Sequence, residues 1–179
     1  MRLKNERYSR VCKILRWAFK QRLHFTLENS IKFKLIFAPS NFFHLLGLEK
    51  LKDVSMKQPA KMVYFDILSG RISPEIISNS SFYRVIEQRI KQFEELGNML
   101  NSDKSKIIVD FNKNIVPFTE LKNTKYILYR HKNEGYAHFT MGSKGKGVYP
   151  ETFFFEESKR YVTGQILLDI VKIETVIRK

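Results

Sequence analysis

The chain has 179 residues, 43% of them hydrophobic and 28% charged, the composition of an ordinary globular protein with enough length for one sizeable core. Its 32 Lys and Arg against 18 Asp and Glu leave +14 at pH 7, which points to anionic partners such as RNA, DNA or an acidic lipid surface without choosing among them. The single cysteine, Cys12, excludes an internal disulfide and a cysteine-rich zinc site, and no apolar run approaches the roughly 18 residues of a membrane span, so a cytoplasmic protein without a secretory signal is expected.

Residues 1–22 carry eight basic side chains (Arg2, Lys4, Arg7, Arg10, Lys13, Arg16, Lys20, Arg22) against Glu6, half of the net charge at one end of the chain. Val11, Ile14, Leu15, Ala18 and Phe19 recur at helical spacing, which predicts a basic amphipathic helix. Three uses are open to it: packing on the domain with a solvated basic face, contacting nucleic acid through residues such as Arg16 and Lys20, or lying on a membrane surface as a targeting segment. Trp17 and Cys12 read as packing residues. Residues 23–179 are expected to form a single domain.

From His24 to Phe37 the pattern alternates, with Phe25 and Leu27 before a polar break at Glu28-Asn29-Ser30 and Ile31, Phe33, Leu35 and Phe37 after it, predicting a β-hairpin. Asn41–Asp53, NFFHLLGLEKLKD, then places a histidine, a glycine and two lysines in a short apolar helix that Ser40 or Asn41 would cap. At roughly 100° per residue His44 shares a face with Leu48 and Leu51. Gly47 either ends a first short helix or leaves room for something to approach His44, since a glycine inside a helix costs about 1 kcal/mol against alanine. A histidine on such a face is in general more often a satisfied core residue than a catalyst.

Lys61–Leu68 predicts another helix ending at Gly70, and Ser73-Pro74-Glu75 another start, with proline at the first helical position. Phe82, Val85, Ile86, Ile90, Phe93, Leu96 and Leu100 mark a long amphipathic helix whose other face, with Arg84, Glu87, Arg89, Lys91 and Glu95, is read as structural. Beyond Asp103 the chain turns β-rich: Ile107, Val109 and Phe111 alternate, Tyr126–Arg130 and Tyr136–Met141 form a hairpin around residues 132–135, and 152–155 and 166–177 follow. Strands and helices are segregated, so the expected fold class is α+β, with helices packed on a mainly antiparallel sheet of about five to seven strands.

The histidines at 24, 44, 131 and 138 make no metal-binding motif, and no GxxxxGK[ST] or GxGxxG occurs. Gly142-Ser143-Lys144-Gly145-Lys146-Gly147 reads as a basic turn, with Lys144 and Lys146 as candidates to touch an RNA backbone. Tyr149-Pro150-Glu151-Thr152-Phe153-Phe154-Phe155 reads as a buried strand limited by Pro150, with the Thr152 hydroxyl at its start. Arg130-His131 ends its strand at a hairpin.

The N-F-x-H-L-L-G-L-x-K-L-K-D string, met by Asn41, Phe42, His44, Leu45, Leu46, Gly47, Leu48, Lys50, Leu51, Lys52 and Asp53, resembles that of a phage-associated family grouped with barnase, EndoU, colicin-type tRNases and RelE, the fourth phage family of that group. Pro150, Thr152, Phe153 and Phe154 match more loosely, and together the matches run through residues 24–175. The resemblance implies a barnase/RelE-like fold and metal-independent cleavage of RNA, tRNA or mRNA, in a bacterial host cell, with no cofactor. Such cleavage needs a base, an acid and positive charge at the phosphate, and the residues that can supply them are His44 as acid or base, Lys50 or Lys52 for the phosphate, Thr152 for positioning, and Arg130, His131 or Tyr149 for the remaining role. An imidazole suits proton transfer because it changes charge near neutral pH. An inhibitor or host protein is a possible further partner. The alternatives are a non-catalytic RNA- or host-protein-binding module on the same fold and a phage structural component.

Overall fold

The alternation of the first apolar run settles into a hairpin, β1 (Gln21–Leu27) and β2 (Lys32–Ile36), turned through Ser30 at φ +68°. The computed structural model of the chain describes residues 2–102, 105–132, 135–145 and 147–178, with backbone alone at 2–5 and 7. Before the hairpin, α1 (Arg2–Phe19) buries Val11, Leu15 and Ala18 of the expected apolar stripe, half-buries Ile14 and Phe19, and adds Tyr8; Arg16 near its end and Lys20 just beyond it are exposed.

Five further helices separate the hairpin from the other strands: α2 (Asn41–Leu46), α3 (Ala60–Leu68), α4 (Pro74–Ser78), α5 (Tyr83–Lys91) and α6 (Glu94–Leu100). Ser73 caps α4 as expected, its hydroxyl accepting from the Ile76 N–H at 3.4 Å ahead of Pro74. The long helix expected over 82–100 is two helices, interrupted at Gln92 and Phe93; Phe93 is fully buried against Phe153 of the strands.

The strands are β3 (Lys106–Val109), β4 (Thr124–Lys132), β5 (Gly135–Lys144), β6 (Gly147–Glu156) and β7 (Leu167–Ile177). Here the expected architecture, helices on an open barnase/RelE-like antiparallel sheet, is corrected: the seven strands close into a barrel in the order β1-β2-β6-β5-β4-β3-β7. Closure depends on β7. Its end runs antiparallel to β1, from Gln21↔Ile177 to Leu27↔Ile170, while its beginning pairs with β3 through Lys106↔Asp169 to Ile108↔Leu167. On the other side β2 meets β6 in parallel at Leu35↔Val148. A closed barrel leaves no edge with unpaired backbone groups, which an open sheet would. Alternation in the sequence reports which face of a strand is buried, and it carries no information about which strand is the neighbour.

Two faces are therefore buried. Inward residues such as Leu23, Phe25, Leu35, Leu128, Phe139 and Phe153 share one core with the apolar faces of the helices. On the outer face Ile108 and Ile127, with Phe154 packed against them, are covered by Phe111, Val116 and Tyr161 from two connecting segments. Among the described residues no helix is long and apolar enough to cross a membrane.

Candidate active site

The NFFHLLGLEKLKD stretch folds as a short helix, a glycine and a 3-10 turn (Leu48–Lys50), because Gly47 takes the left-handed conformation at φ +71°. Phe42, Leu45, Leu46, Leu48 and Leu51 are buried and anchor the segment. Asn41 fastens it to β6: Oδ1 accepts from the Ala38 N–H at 2.7 Å, and Nδ2 donates to the Pro150 carbonyl at 3.1 Å, 109 residues on. Asp53 fastens the other end, accepting from the Ser80 hydroxyl at 2.5 Å and from the Ser81 N–H and hydroxyl at 2.8 and 2.9 Å. These bonds to the charged form hold its carboxyl down at about 2, the Ser80 hydroxyl contributing most. With the chain turned at Gly47, Leu48 and Leu51 point inward and His44 does not; its side chain is 57% exposed.

His44 opens into a cleft of about 540 Å³ between the 3-10 turn, α5, β6 and the segment before β4. Lys50 and Thr152 line the same cleft, together with Glu49, Arg89 and Glu151. The volume is that of an ordinary ligand site. Glu49 faces the imidazole, its Oε2 3.7 Å from His44 Nδ1.

Arg89 links the two walls. It leaves α5 one turn beyond the buried Ile86, and its Nη1 donates to the His44 carbonyl at 3.0 Å and to Thr152 Oγ1 at 3.2 Å. A Cβ on residue 47 would stand 2.8 Å from Arg89 Nη1, so Gly47 both ends the helix and makes the space that the guanidinium fills. Burial draws the Arg89 pKa below its usual range, opposed by the carboxylates of Glu49 and Glu120. An arginine so placed remains a cation.

Glu151 and Thr152 are consecutive, and in a regular strand they would point to opposite faces. The pairing jumps from Thr140↔Thr152 to Met141↔Pro150, so Glu151 is the extra residue of a bulge and both side chains reach the cleft. The same bulge accommodates Pro150, which has no N–H for the ladder. Half-burial pushes the Glu151 carboxyl up, and a hydrogen bond of 2.6 Å donated by the Thr124 hydroxyl works against that rise.

The other sequence candidates lie elsewhere. Lys52 is exposed outside this cleft. Arg130 is on the Leu128 side of β4, the face opposite to that of Thr152 and Phe154. There it stands 3.9 Å from the buried Glu95, which Lys132 approaches to 2.5 Å. His131 packs on Tyr136, with ring centroids 4.9 Å apart. The Tyr149 ring lies across Gly142, whose missing side chain leaves it room: a Cβ there would fall 2.6 Å from the ring. Lys144 is exposed at the end of β5, and Lys146 lies outside the described residues. Arg16 and Lys20 are at the end of α1, away from the cleft.

Neither Arg89 nor Glu151 is a candidate on sequence grounds. Arg89 sits there on the charged face of a helix read as structural; Glu151 stands inside the matched run beside Thr152, but alternation turns it away. Among the described residues no three His, Cys, Asp or Glu side chains are grouped so as to hold a metal ion.

A model of the family described as phage-Barnase-EndoU-ColicinE5/D-RelE like nuclease 4 matches residues 18–174. The chain belongs to this family. The match contains the whole of the cleft and every strand but the last residues of β7, and it leaves out most of α1. No curated protein and no solved structure matches the chain. The family is one of nucleases, and among the described residues this cleft brings an imidazole, a raised carboxyl and cations together.

Proposed function

We propose that this family member is an endoribonuclease that cleaves RNA without a metal, by acid/base transfer of the phosphodiester to the neighbouring 2′-hydroxyl. The observation that carries the reading is the convergence of His44, Glu151, Arg89, Lys50 and Thr152 on one cleft. Such cleavage needs a base for the 2′-hydroxyl proton, an acid for the leaving 5′-oxygen and positive charge at the phosphorus.

Glu151 is the base. A carboxyl raised by burial is a stronger base than a solvated one. As it takes the proton, the 2′-oxygen bonds to phosphorus; the bond to the 5′-oxygen breaks, and His44 supplies that oxygen with a proton. The products are a 2′,3′-cyclic phosphate and a 5′-hydroxyl. With Nδ1 turned toward Glu49, Nε2 is the nitrogen that meets the substrate. Arg89 and Lys50 face the charge that grows on the non-bridging oxygens. Because Thr152 Oγ1 accepts from Arg89, its own O–H is left to donate to the phosphate.

The substrate is RNA in the bacterial cytoplasm, tRNA or mRNA, and a basic surface with a net charge of +14 assists its capture. Purified protein incubated with tRNA and total RNA in EDTA is expected to leave 2′,3′-cyclic phosphate ends, with His44→Ala and Glu151→Gln each slowed by at least about 100-fold. Undetectable cleavage, equal in wild type and His44→Ala, removes the enzymatic reading. Salt-sensitive RNA binding that survives His44→Ala without any cleavage replaces it with a binding module.

A further inference from the structure

The rim of the cleft carries one aromatic side chain that the fold does not use. Phe118 is 99% exposed and lines the cleft, on the segment before β4. Its backbone is at φ +57°, a conformation that a bulky residue adopts only under constraint. Neither feature serves folding: an exposed ring forgoes the stabilisation of burial, and the left-handed backbone is strained for a side chain of this size.

The segment around it is held firmly. Val116 is 2% exposed in the outer core, Leu121 packs on that core, and the Leu121 N–H donates to Thr119 Oγ1 at 3.1 Å. Upstream, Gln165 clamps Asn112, accepting from its N–H at 2.9 Å and donating to its carbonyl at 3.1 Å. The chain is thus anchored on both sides of a phenyl ring that it lifts into solvent beside a cleft lined by Lys50 and Arg89. Lys122, exposed and on the same rim, forms no ion pair among the described residues.

We infer that Phe118 is a stacking platform for an unpaired nucleobase next to the scissile phosphate, which makes single-stranded or looped RNA the substrate of the cleft. The inference rests on the reading of the cleft as an RNA site and adds the base to the phosphate. A π-face accepts any base, so the platform selects for unstacked nucleotides and not for sequence. A base inside a duplex has both faces covered and cannot use it.

Binding is measured with a fully 2′-O-methylated oligonucleotide, which cannot be cleaved, carrying 2-aminopurine, in single-stranded form and annealed to its complement. Wild type is expected to quench the 2-aminopurine of the single strand. Phe118→Ala should bind the single strand about tenfold more weakly and lose the quenching, Phe118→Trp should retain both, and the duplex should bind all three proteins alike. With residue 118 99% exposed, Phe118→Ala should unfold in urea at or above the wild-type midpoint, so lost binding is not lost fold. Equal single-strand affinity for wild type and Phe118→Ala overturns the inference even if the wild type cleaves RNA. An equal loss on single strand and duplex overturns it too. Phe118-dependent quenching in a protein that never cleaves RNA leaves the platform standing and removes only the catalytic reading.

Discussion

Replacing Gly47 by alanine separates the two reasons for a glycine at that position. The first is conformational: at φ +71° an L side chain is strained by about 1 to 2 kcal/mol. The second is spatial, because the added methyl would stand 2.8 Å from Arg89 Nη1, 3.1 Å from its Cζ and 3.2 Å from Ile86 Cγ2. Gly70 supplies the control. It has nearly the same backbone, φ +78°, and nothing within 4 Å of an added Cβ, so Gly70→Ala measures the backbone cost alone. The Arg89 contact is with the far end of a flexible side chain, which can swing away and give up its bonds to the His44 carbonyl and Thr152. For a partly exposed guanidinium those bonds are worth about 1 kcal/mol in stability. Gly70→Ala should therefore lose about 1 to 2 kcal/mol in urea unfolding, and Gly47→Ala about 2 to 3 kcal/mol. In RNA cleavage the two should part company: Gly70→Ala at the wild-type rate, Gly47→Ala at least about tenfold slower, since a displaced cation no longer meets the transition state. Gly47→Ala cleaving as fast as Gly70→Ala, with both still folded at the assay temperature, would refute the claim that Gly47 exists to seat Arg89.

Two further outcomes follow from groups held off their usual pKa. Glu151 must be ionised to act as base, and burial raises its pKa, so kcat/KM should climb as pH rises through that raised value; Glu151→Gln should flatten this limb while preserving RNA binding, and an unchanged limb in Glu151→Gln assigns the base elsewhere. His138 is fully buried on the outer face of β5 among the rings of Tyr129, Tyr136, Phe154 and Tyr161, with neither ring nitrogen hydrogen-bonded among the described residues, and burial with help from Arg160 lowers it to about 4. The folded state keeps His138 neutral, while the unfolded chain takes up a proton below an ordinary histidine value of about 6.5, so its contribution is complete above pH 6.5 and is lost as pH falls toward 4. Between pH 7.5 and 4.5 this amounts to about 2 to 3 kcal/mol, and urea unfolding of His138→Phe should lack that part of the acid slope; an identical slope in both proteins would show that the imidazole is not sealed.

Much of the local structure was legible in the residues themselves, for reasons of short range. The stripe of α1, the hairpin alternation, the Ser73-Pro74 cap and the helix end at Gly70 each depend on neighbours within a turn or a strand. The NFFHLLGLEKLKD string also announced the family, and most of its residues have a fixed place in the fold. The leucines enter the core, Asn41 and Asp53 make the fastenings, Gly47 makes the turn, and His44 and Lys50 face the cleft.

Closure of the barrel and completion of the cleft were decided only by the tertiary structure. Strand alternation cannot say that β7 will bridge β1 and β3, since a ladder is made by backbone groups that every residue carries. Nor does it show that an extra residue in β6 will turn Glu151 to the same side as Thr152, or that an arginine on the charged face of a helix will fill the space left by a glycine 42 positions earlier. Residue types and spacing specified the parts that act within a few residues. The register between distant strands, and the angle at which α5 meets the turn after α2, specified which of those parts share a cleft.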